Sequence, residues 1–250
     1  MELLPGVHLL RHVLGANVFL LHDPTSPTLI DAGLPRSGRR ILRSLADAEC
    51  PPEKLTQVLL THYHIDHTGA ADEVRKATGA RLLSHRADAD ILKDRPRPGG
   101  KPWRRVGSPN LDVDALLEDG QVLPLLGGLQ VLHPPGHTPG SLCFYLTRYK
   151  ALFVGDLFLH TSDRLSRPLP GMTYDAGDYT RSLHRVAGLD VEACFPAHGD
   201  PTLSDASSLI RDLVEALGLP RRKRGPTGTL RDIPRMGKFV ASMWRKPRPK

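Results

Sequence analysis

THYHIDH, residues 61–67, places three histidines and one aspartate within six consecutive positions. This segment directly follows an apolar run, QVLL, that is typical of a strand. Side chains two residues apart in an extended chain point the same way, so we expect His62 and His64 to converge on one metal ion. Asp66 and His67 come after the chain turns, and we expect them to face a second ion. Imidazole and carboxylate ligands together favour zinc, iron or manganese over calcium or magnesium.

The composition around this segment is that of a globular protein. The chain has 250 residues, of which 40% are hydrophobic and 24% charged, and these fractions exclude a mainly disordered chain. No apolar run approaches the roughly 20 residues of a membrane-spanning helix, so no membrane span is expected. The three cysteines are far apart and match neither a disulfide framework nor a cysteine-rich zinc site. With no export signal recognisable at the start of the sequence, we expect a cytoplasmic protein.

The order of the predicted elements indicates the fold class. Short apolar runs broken by Gly, Asn and Pro fill residues 7–31 and predict strands, as do the later runs LQVLH, SLCFYL and ALFVG. Helices are predicted over residues 37–48, 70–78, 179–187 and 204–217. Residues 93–110 and 161–177 are predicted as long loops. Strands followed by alternating helix and strand occur twice, which favours an α/β protein with two stacked sheets and helices outside, an αββα four-layer sandwich.

The net charge of +7 is unevenly distributed. Residues 221–250 hold eleven basic residues and one acidic residue, whereas the first 220 residues hold 23 basic and 26 acidic residues. We therefore divide the chain into a catalytic domain, residues 1–220, and a basic C-terminal extension, residues 221–250. The extension could bind nucleic acid by neutralising phosphates, but a solvated charged segment is the favoured interpretation.

The histidine segment resembles the HxHxDH signature of the metallo-β-lactamase superfamily. Four further motifs of that family occur in the family's order: Asp31 in LIDAG, His137 in PPGHTPGS, Asp156 in ALFVGD and His198 in FPAHGD. The resemblance implies an αββα sandwich that holds its metal ions at the edge of the two sheets. This is the same layering that the order of the predicted elements favours.

The resemblance also implies a role for each of these residues. The first metal ion would be held by His62, His64 and His137, and the second by Asp66, His67 and His198. Asp156 would bridge the two ions, since a carboxylate has two oxygens. Asp31 would orient the ligands through hydrogen bonds without binding metal. The expected cofactors are two divalent ions, zinc in the first place, with iron and manganese as the alternatives.

The chemistry expected of such a centre is hydrolysis. Two cations that share one water lower its pKa from ~15.7 towards ~7, which gives a metal-bridging hydroxide at neutral pH. We expect this hydroxide to attack an ester-like small molecule such as a thioester or lactone, with Asp66 as the catalytic proton acceptor. Basic residues of the two long loops, notably Arg104 and Arg105, together with His160, are candidate substrate contacts and favour an anionic substrate.

Two alternatives remain open at this point. The superfamily includes enzymes that cleave nucleic acids, so a nuclease or phosphodiesterase is one of them. A mononuclear iron oxidoreductase that resembles the persulfide dioxygenases is the other, although the presence of His67 and His198 favours two metal ions. Glyoxalase II and the acyl-homoserine-lactone lactonases share the GHTPG turn, but Ser141 stands where their turn continues with His. The sequence leaves the oligomeric state open.

Overall fold

The structure is a computed structural model that describes residues 1–93, 110–161 and 164–218. The predicted substrate contacts Arg104 and Arg105 and the basic extension, residues 221–250, lie outside the described residues. So does most of the predicted loop at residues 93–110. The division of the chain at residue 220 therefore stays a prediction.

The first half of the chain forms a seven-stranded sheet in which the strands follow chain order. Its strands are Glu2–Leu4 (β1), Val7–Leu10 (β2), Val18–Leu21 (β3), Thr28–Ile30 (β4), Gln57–Leu59 (β5), Arg81–His85 (β6) and Ala115–Leu117 (β7). Neighbouring strands are antiparallel from β1 to β4 and parallel from β4 to β7. The helices of this half are Gly38–Asp47 (α1), Ile65–Thr68 (α2), Ala71–Thr78 (α3) and Arg86–Lys93 (α4).

The second half forms a five-stranded sheet. Its strands are Val122–Leu123 (β8), Leu129–Leu132 (β9), Cys143–Leu146 (β10), Ala151–Gly155 (β11) and Ala193–Pro196 (β14). Between β11 and β14, Leu159–Thr161 (β12) and Arg164–Ser166 (β13) pair as a separate two-stranded sheet. The order across the sheet is β14-β11-β10-β9-β8, with β14 parallel to β11. The helices are Ala176–Ala187 (α5) and Ala206–Ala216 (α6). Among the described residues, no helix has the length and apolar character that crossing a membrane requires.

Alternating side chains of the central strands enter different apolar layers. Phe153 of β11 packs in a cluster between the two sheets, whereas its neighbours Leu152 and Val154 pack against the second sheet's helices. In the first sheet, Phe19 of β3 enters the cluster between the sheets, and Leu20 packs on the side of α1 and α3. Because strand side chains alternate, each sheet is buried on both faces. The predicted αββα four-layer sandwich is confirmed.

Several elements differ from the expected pattern. The four predicted helices are present within a few residues of their predicted bounds, but α2 and α4 were not predicted. The helix α2 has only four residues, and α4 begins directly after β6 with no turn signal between them. The region 161–177, predicted as a loop, contains β13 and a 3-10 turn at Pro170–Met172. Strands of three residues, such as β12 and β13, are too short to show alternation in the sequence.

Candidate metal centre

The predicted ligands lie together at one edge of the two sheets. His62 and His64 follow β5, and the short helix α2 carries Asp66 and His67. The remaining three residues follow strands of the second sheet: His137 comes after β9, Asp156 directly after β11, and His198 after β14. The structure places these seven side chains in two groups, each close enough to share an ion.

The first group brings three imidazoles and one carboxylate to a single point. His62 Nε2 lies 3.0 Å from His64 Nδ1 and 3.2 Å from His137 Nε2, and the latter two nitrogens are 3.1 Å apart. Asp156 Oδ2 lies 3.5 Å from His137 Nε2. All four side chains are buried. These separations are close to the edge of about 3.3 Å expected for a tetrahedron with metal–nitrogen bonds of ~2.0–2.1 Å.

The second group contains Asp66, His67 and His198. His198 Nε2 lies 3.2 Å from Asp66 Oδ2 and 3.5 Å from Asp156 Oδ1. His67 Nε2 lies 3.4 Å from the same Asp156 oxygen and 3.8 Å from Asp66 Oδ2. Asp156 therefore turns Oδ2 towards the first group and Oδ1 towards the second.

Two atoms that face the second group, His67 Nε2 and Asp156 Oδ1, are buried without a hydrogen-bond partner among the described residues, as is Nδ1, the other ring nitrogen of His137. A buried polar atom without a partner costs about 1–3 kcal/mol, so such atoms are rare. A cation in the second group would satisfy His67 Nε2 and Asp156 Oδ1. The donor set of imidazole nitrogens and carboxylate oxygens also suits a divalent ion such as zinc. The residues therefore fit the metal ions that the sequence predicts.

The three imidazoles of the first group have lowered pKa values. Burial, together with the neighbouring imidazoles, lowers the pKa of His62 well below its ordinary value and lowers that of His64 to about 3. Burial also lowers the pKa of His137. All three imidazoles are therefore neutral at pH 7, which is the form that binds metal ions.

In the second group, neighbouring carboxylates determine the direction in which the pKa of His67 shifts. Burial alone would lower the pKa of His67, but Asp31 and Asp156 outweigh it and raise that pKa well above the ordinary value. Burial alone would raise the pKa of Asp66, but His67 and His198 outweigh it and hold that pKa at about 2. Without a cation, this group therefore retains a proton on imidazole. A metal ion bound there would displace that proton.

Asp31 and Thr61 orient two of the histidines. Asp31 Oδ2 lies 2.8 Å from His67 Nδ1, and Asp31 Oδ1 accepts from the Thr61 backbone N–H at 2.8 Å. The Thr61 hydroxyl lies 2.8 Å from Asp31 Oδ2 and 3.1 Å from His62 Nδ1. These contacts occupy the Nδ1 side of both rings and leave Nε2 facing the centre. The geometry agrees with the orienting role expected of Asp31, and the role itself stays a prediction.

The side chain of His160 belongs to neither of the two candidate ligand groups. Its backbone N–H donates to His198 O at 2.9 Å, and its ring Nδ1 lies 2.7 Å from Asp200 O. A Cβ at Gly199 would lie 1.7 Å from His160 O, so only glycine allows the β12–β13 hairpin to approach the His198 loop this closely. His160 therefore supports the loop after β14, and its predicted substrate contact stays a prediction.

Sequence reasoning missed two residues that hold the ligand segments in place. Asn17 Nδ2 donates to Pro196 O at 3.0 Å and to Gly199 O at 2.8 Å, which joins the first half of the chain to the His198 loop. The buried Asp88 of α4 accepts hydrogen bonds from Tyr63 and Thr138. Their partners are 25 to 182 residues away, so no local spacing could have indicated either role.

Comparison with known proteins places this geometry in a family. The family model described as "Metallo-beta-lactamase superfamily" matches residues 12–198. The chain is 30% identical over 211 residues to the thioesterase pkgB of Emericella nidulans, an alignment that covers 83% of this chain and 53% of pkgB. It is 29% identical over 229 residues to the probable metallo-hydrolase YflN of Bacillus subtilis, covering 80% of this chain and 86% of YflN. The chain thus spans about half the length of pkgB.

A solved structure shows the same fold. A metallo-beta-lactamase family protein from Thermus thermophilus matches with a TM-score of 0.70 and 25% sequence identity. The match covers 87% of this chain and 81% of that protein.

Proposed function

We propose, since the chain belongs to the metallo-beta-lactamase superfamily, that it is a dinuclear metal-dependent hydrolase of ester-like small molecules. The observation that carries this proposal is the shared carboxylate. Asp156 turns one oxygen to each of two ligand groups, and each group completes its set with imidazole nitrogens. An arrangement of this kind suits two cations that act on one substrate.

Seven residues would hold the two ions. His62, His64 and His137 would bind the first ion, Asp66, His67 and His198 the second, and Asp156 both. Zinc is the first candidate, with iron and manganese as the alternatives. When bound, the two ions would supply a shared water acidified to a pKa of ~7 and Lewis-acid stabilisation of the developing oxyanion.

Asp66 is the residue that we propose as the proton acceptor. Its side chain is 29% exposed, whereas those of His67 and Asp156 are at most 7% exposed. It is ionised at neutral pH, because His67 and His198 hold its pKa at about 2. An ionised carboxylate at the open side of the centre can orient the attacking water and accept its proton, which it then passes towards the leaving group.

A thioester is the substrate class that we place first, and a lactone second. The relative pkgB is named a thioesterase, and YflN is named a probable metallo-hydrolase. Two exposed apolar side chains beside the ligands favour a substrate with an apolar acyl part. Tyr174, 47% exposed, lies just before α5 and donates its backbone N–H to His137 O. Leu14, also 47% exposed, lies two residues before Ala16, which donates to Asp66 O.

Three further proposals concern the charge of the substrate, the basic extension and the location of the protein. Arg104 and Arg105 would favour an anionic group on the substrate. Binding of nucleic acid through residues 221–250 is not favoured, because a solvated charged segment accounts equally well for their composition. A cytoplasmic location is consistent with three cysteines that are all free and buried.

Removal of metal tests the whole proposal. We expect elemental analysis of the purified chain to find about two divalent ions per molecule, and we expect a chelator to abolish hydrolysis of acyl thioesters, lactones and aryl esters. Re-addition of Zn²⁺, Mn²⁺ or Fe²⁺ should restore it. Full activity in metal-free protein would refute the proposal. A single iron with uptake of oxygen would support the oxidoreductase alternative, and activity on phosphodiesters alone would support the nuclease alternative.

A second test addresses the hydroxyl that orients two ligands. Thr61→Val keeps the shape of the side chain but removes the contacts of the hydroxyl with Asp31 and His62, so we expect Zn²⁺ affinity to fall about 10-fold or more. Calorimetric titration of Zn²⁺ into the metal-free protein measures this affinity. Thr28→Val is the matched control, because Thr28 is equally buried but donates to Ser26 O. Equal affinities in the two variants would contradict the orienting role of Thr61.

A further inference from the structure

Asp88 is a buried carboxylate that belongs to neither ligand group. It is the third residue of α4, and its relative exposure is 0%. Its Oδ2 accepts hydrogen bonds from Tyr63 N at 3.0 Å and from Thr138 Oγ1 at 2.8 Å, and its Oδ1 accepts from Gly140 N at 2.7 Å. Three donors thus converge on one side chain from positions 25, 50 and 52 residues away.

These donors lie in the two segments that supply the first group's imidazoles. Tyr63 stands between His62 and His64, and Thr138 directly follows His137. A single carboxylate therefore joins the segment after β5 to the turn between β9 and β10. Asp88 thus hydrogen-bonds to both of these segments from a third element, α4.

The turn around His137 packs closely against the Asp88 carboxylate. A Cβ at Gly140 would lie 2.6 Å from both Asp88 N and Asp88 Oδ1, so glycine is required for the backbone to approach. Ser141 Oγ accepts from Thr138 N at 2.9 Å and lies 2.8 Å from Thr138 Oγ1. The Thr138 hydroxyl donates its proton to Asp88, so Ser141 donates to Thr138. The serine that replaces the histidine of the lactonase-type turn thus completes a closed network.

We infer that Asp88 is a positioning residue that sets the distance between the His62–His64 segment and the His137 turn. The inference rests on the proposed function, because the three imidazoles so positioned are the proposed ligands of the first ion. Buried hydrogen bonds to an ionised carboxylate are short and directional, which makes them suited to fixing two loops against each other. Partners of this kind outside the ligand set commonly change metal affinity by ~10–100-fold.

Asp88→Asn tests the inference, since the amide keeps the shape but offers one acceptor oxygen instead of two. At least one of the three donors then loses its partner. Zn²⁺ is titrated calorimetrically into the metal-free full chain at pH 8, above the pKa of about 7 to which burial raises Asp88. We expect the Zn²⁺ affinity of one of the two sites to fall ~10–100-fold. The Zn²⁺ affinity of the other site should stay within about 2-fold of its value in the parent chain. The visible absorption of bound Co²⁺ should change for the same site only.

Asp23→Asn is the matched control. Asp23 is also buried, at 7% exposure, and its carboxylate accepts from Thr25 N, Ser26 N and Leu126 N, away from the ligand segments. We expect this variant to lower the thermal midpoint but to bind Zn²⁺ at both sites as the parent chain does. If Asp88→Asn behaves in the same way, or weakens both sites equally, Asp88 is structural only and the inference is overturned.

Thr138→Val provides a milder perturbation should Asp88→Asn not fold. It removes one donor to Asp88 and the contact with Ser141 while leaving the carboxylate in place, and we expect a loss of several-fold at the same site. Unchanged affinity in this variant also overturns the inference. A parent chain that binds no Zn²⁺ would instead overturn the proposed function, so the two failures are distinguishable.

Discussion

Asp156→Ala is expected to lower kcat/KM for the preferred substrate by about 10³-fold or more, which corresponds to ~4 kcal/mol of lost transition-state stabilisation. Among the described residues, Asp156 is the one whose two oxygens face both ligand groups, 3.5 Å from His137 Nε2 and 3.4 Å from His67 Nε2. Loss of a partner outside the ligand set already costs ~10–100-fold, and a shared ligand contributes to two sites at once.

Steady-state kinetics and elemental analysis on the same preparations check this expectation. We expect the variant to retain fewer than two ions per chain and to keep its circular dichroism spectrum. Asp190→Ala is the control, because Asp190 is 74% exposed and forms a surface ion pair with Lys150. Such a pair contributes only ~0–1 kcal/mol to stability. Retention of two ions and of a tenth or more of the activity in Asp156→Ala would rule out the bridging role.

Phe153→Ala is expected to lower the free energy of unfolding by about 3–5 kcal/mol, the range for truncating a buried phenylalanine. Phe153 is 1% exposed and lies between the two sheets. Its ring meets Phe19 edge-on with centroids 5.2 Å apart, and its centroid is 4.8 Å from that of Phe195. The substitution therefore leaves a cavity at the junction of both sheets and removes two aromatic contacts.

Urea denaturation of the metal-free chain, followed by circular dichroism, measures this loss. Phe153→Leu should cost clearly less, since it fills most of the cavity. Val122→Ala is a surface control, because Val122 is 60% exposed and such changes stay within about ±0.5 kcal/mol. A loss below about 1.5 kcal/mol in Phe153→Ala would mean that the two sheets do not depend on this aromatic contact.

The layering and the ligand groups were predictable because their signals are local. The density of histidines in residues 61–67 follows from the need to aim several donors at one point from one short loop, and strand ends carry the remaining ligands. The short apolar runs that predict the strands are likewise a property of neighbouring residues. Each motif is complete within about ten positions, whereas the assignment of His137, Asp156 and His198 to the same centre came from the resemblance to the superfamily.

The supporting contacts were not predictable because they are made between distant segments. Asp88 lies in a helix of eight residues, and nothing near it in the sequence indicates that Tyr63 and Gly140 are its partners. Asn17 meets Gly199 across 182 positions. The β12–β13 hairpin was missed for another reason, since three residues per strand give no detectable alternation. Each of these features depends on how the two sheets pack, which a single sequence does not display.

The two halves of the chain contribute to the metal centre jointly, and this links metal supply to folding. Four of the seven proposed ligand residues follow β5 of the first sheet, and three follow strands of the second. An ion that binds only the folded chain adds its binding free energy to that of folding, about 2.7 kcal/mol at a concentration of 100 Kd. With the proposed ions bound, the centre therefore acts as a cross-link between the sheets. The free energy of unfolding of the chain then depends on the metal available to it as well as on its apolar core.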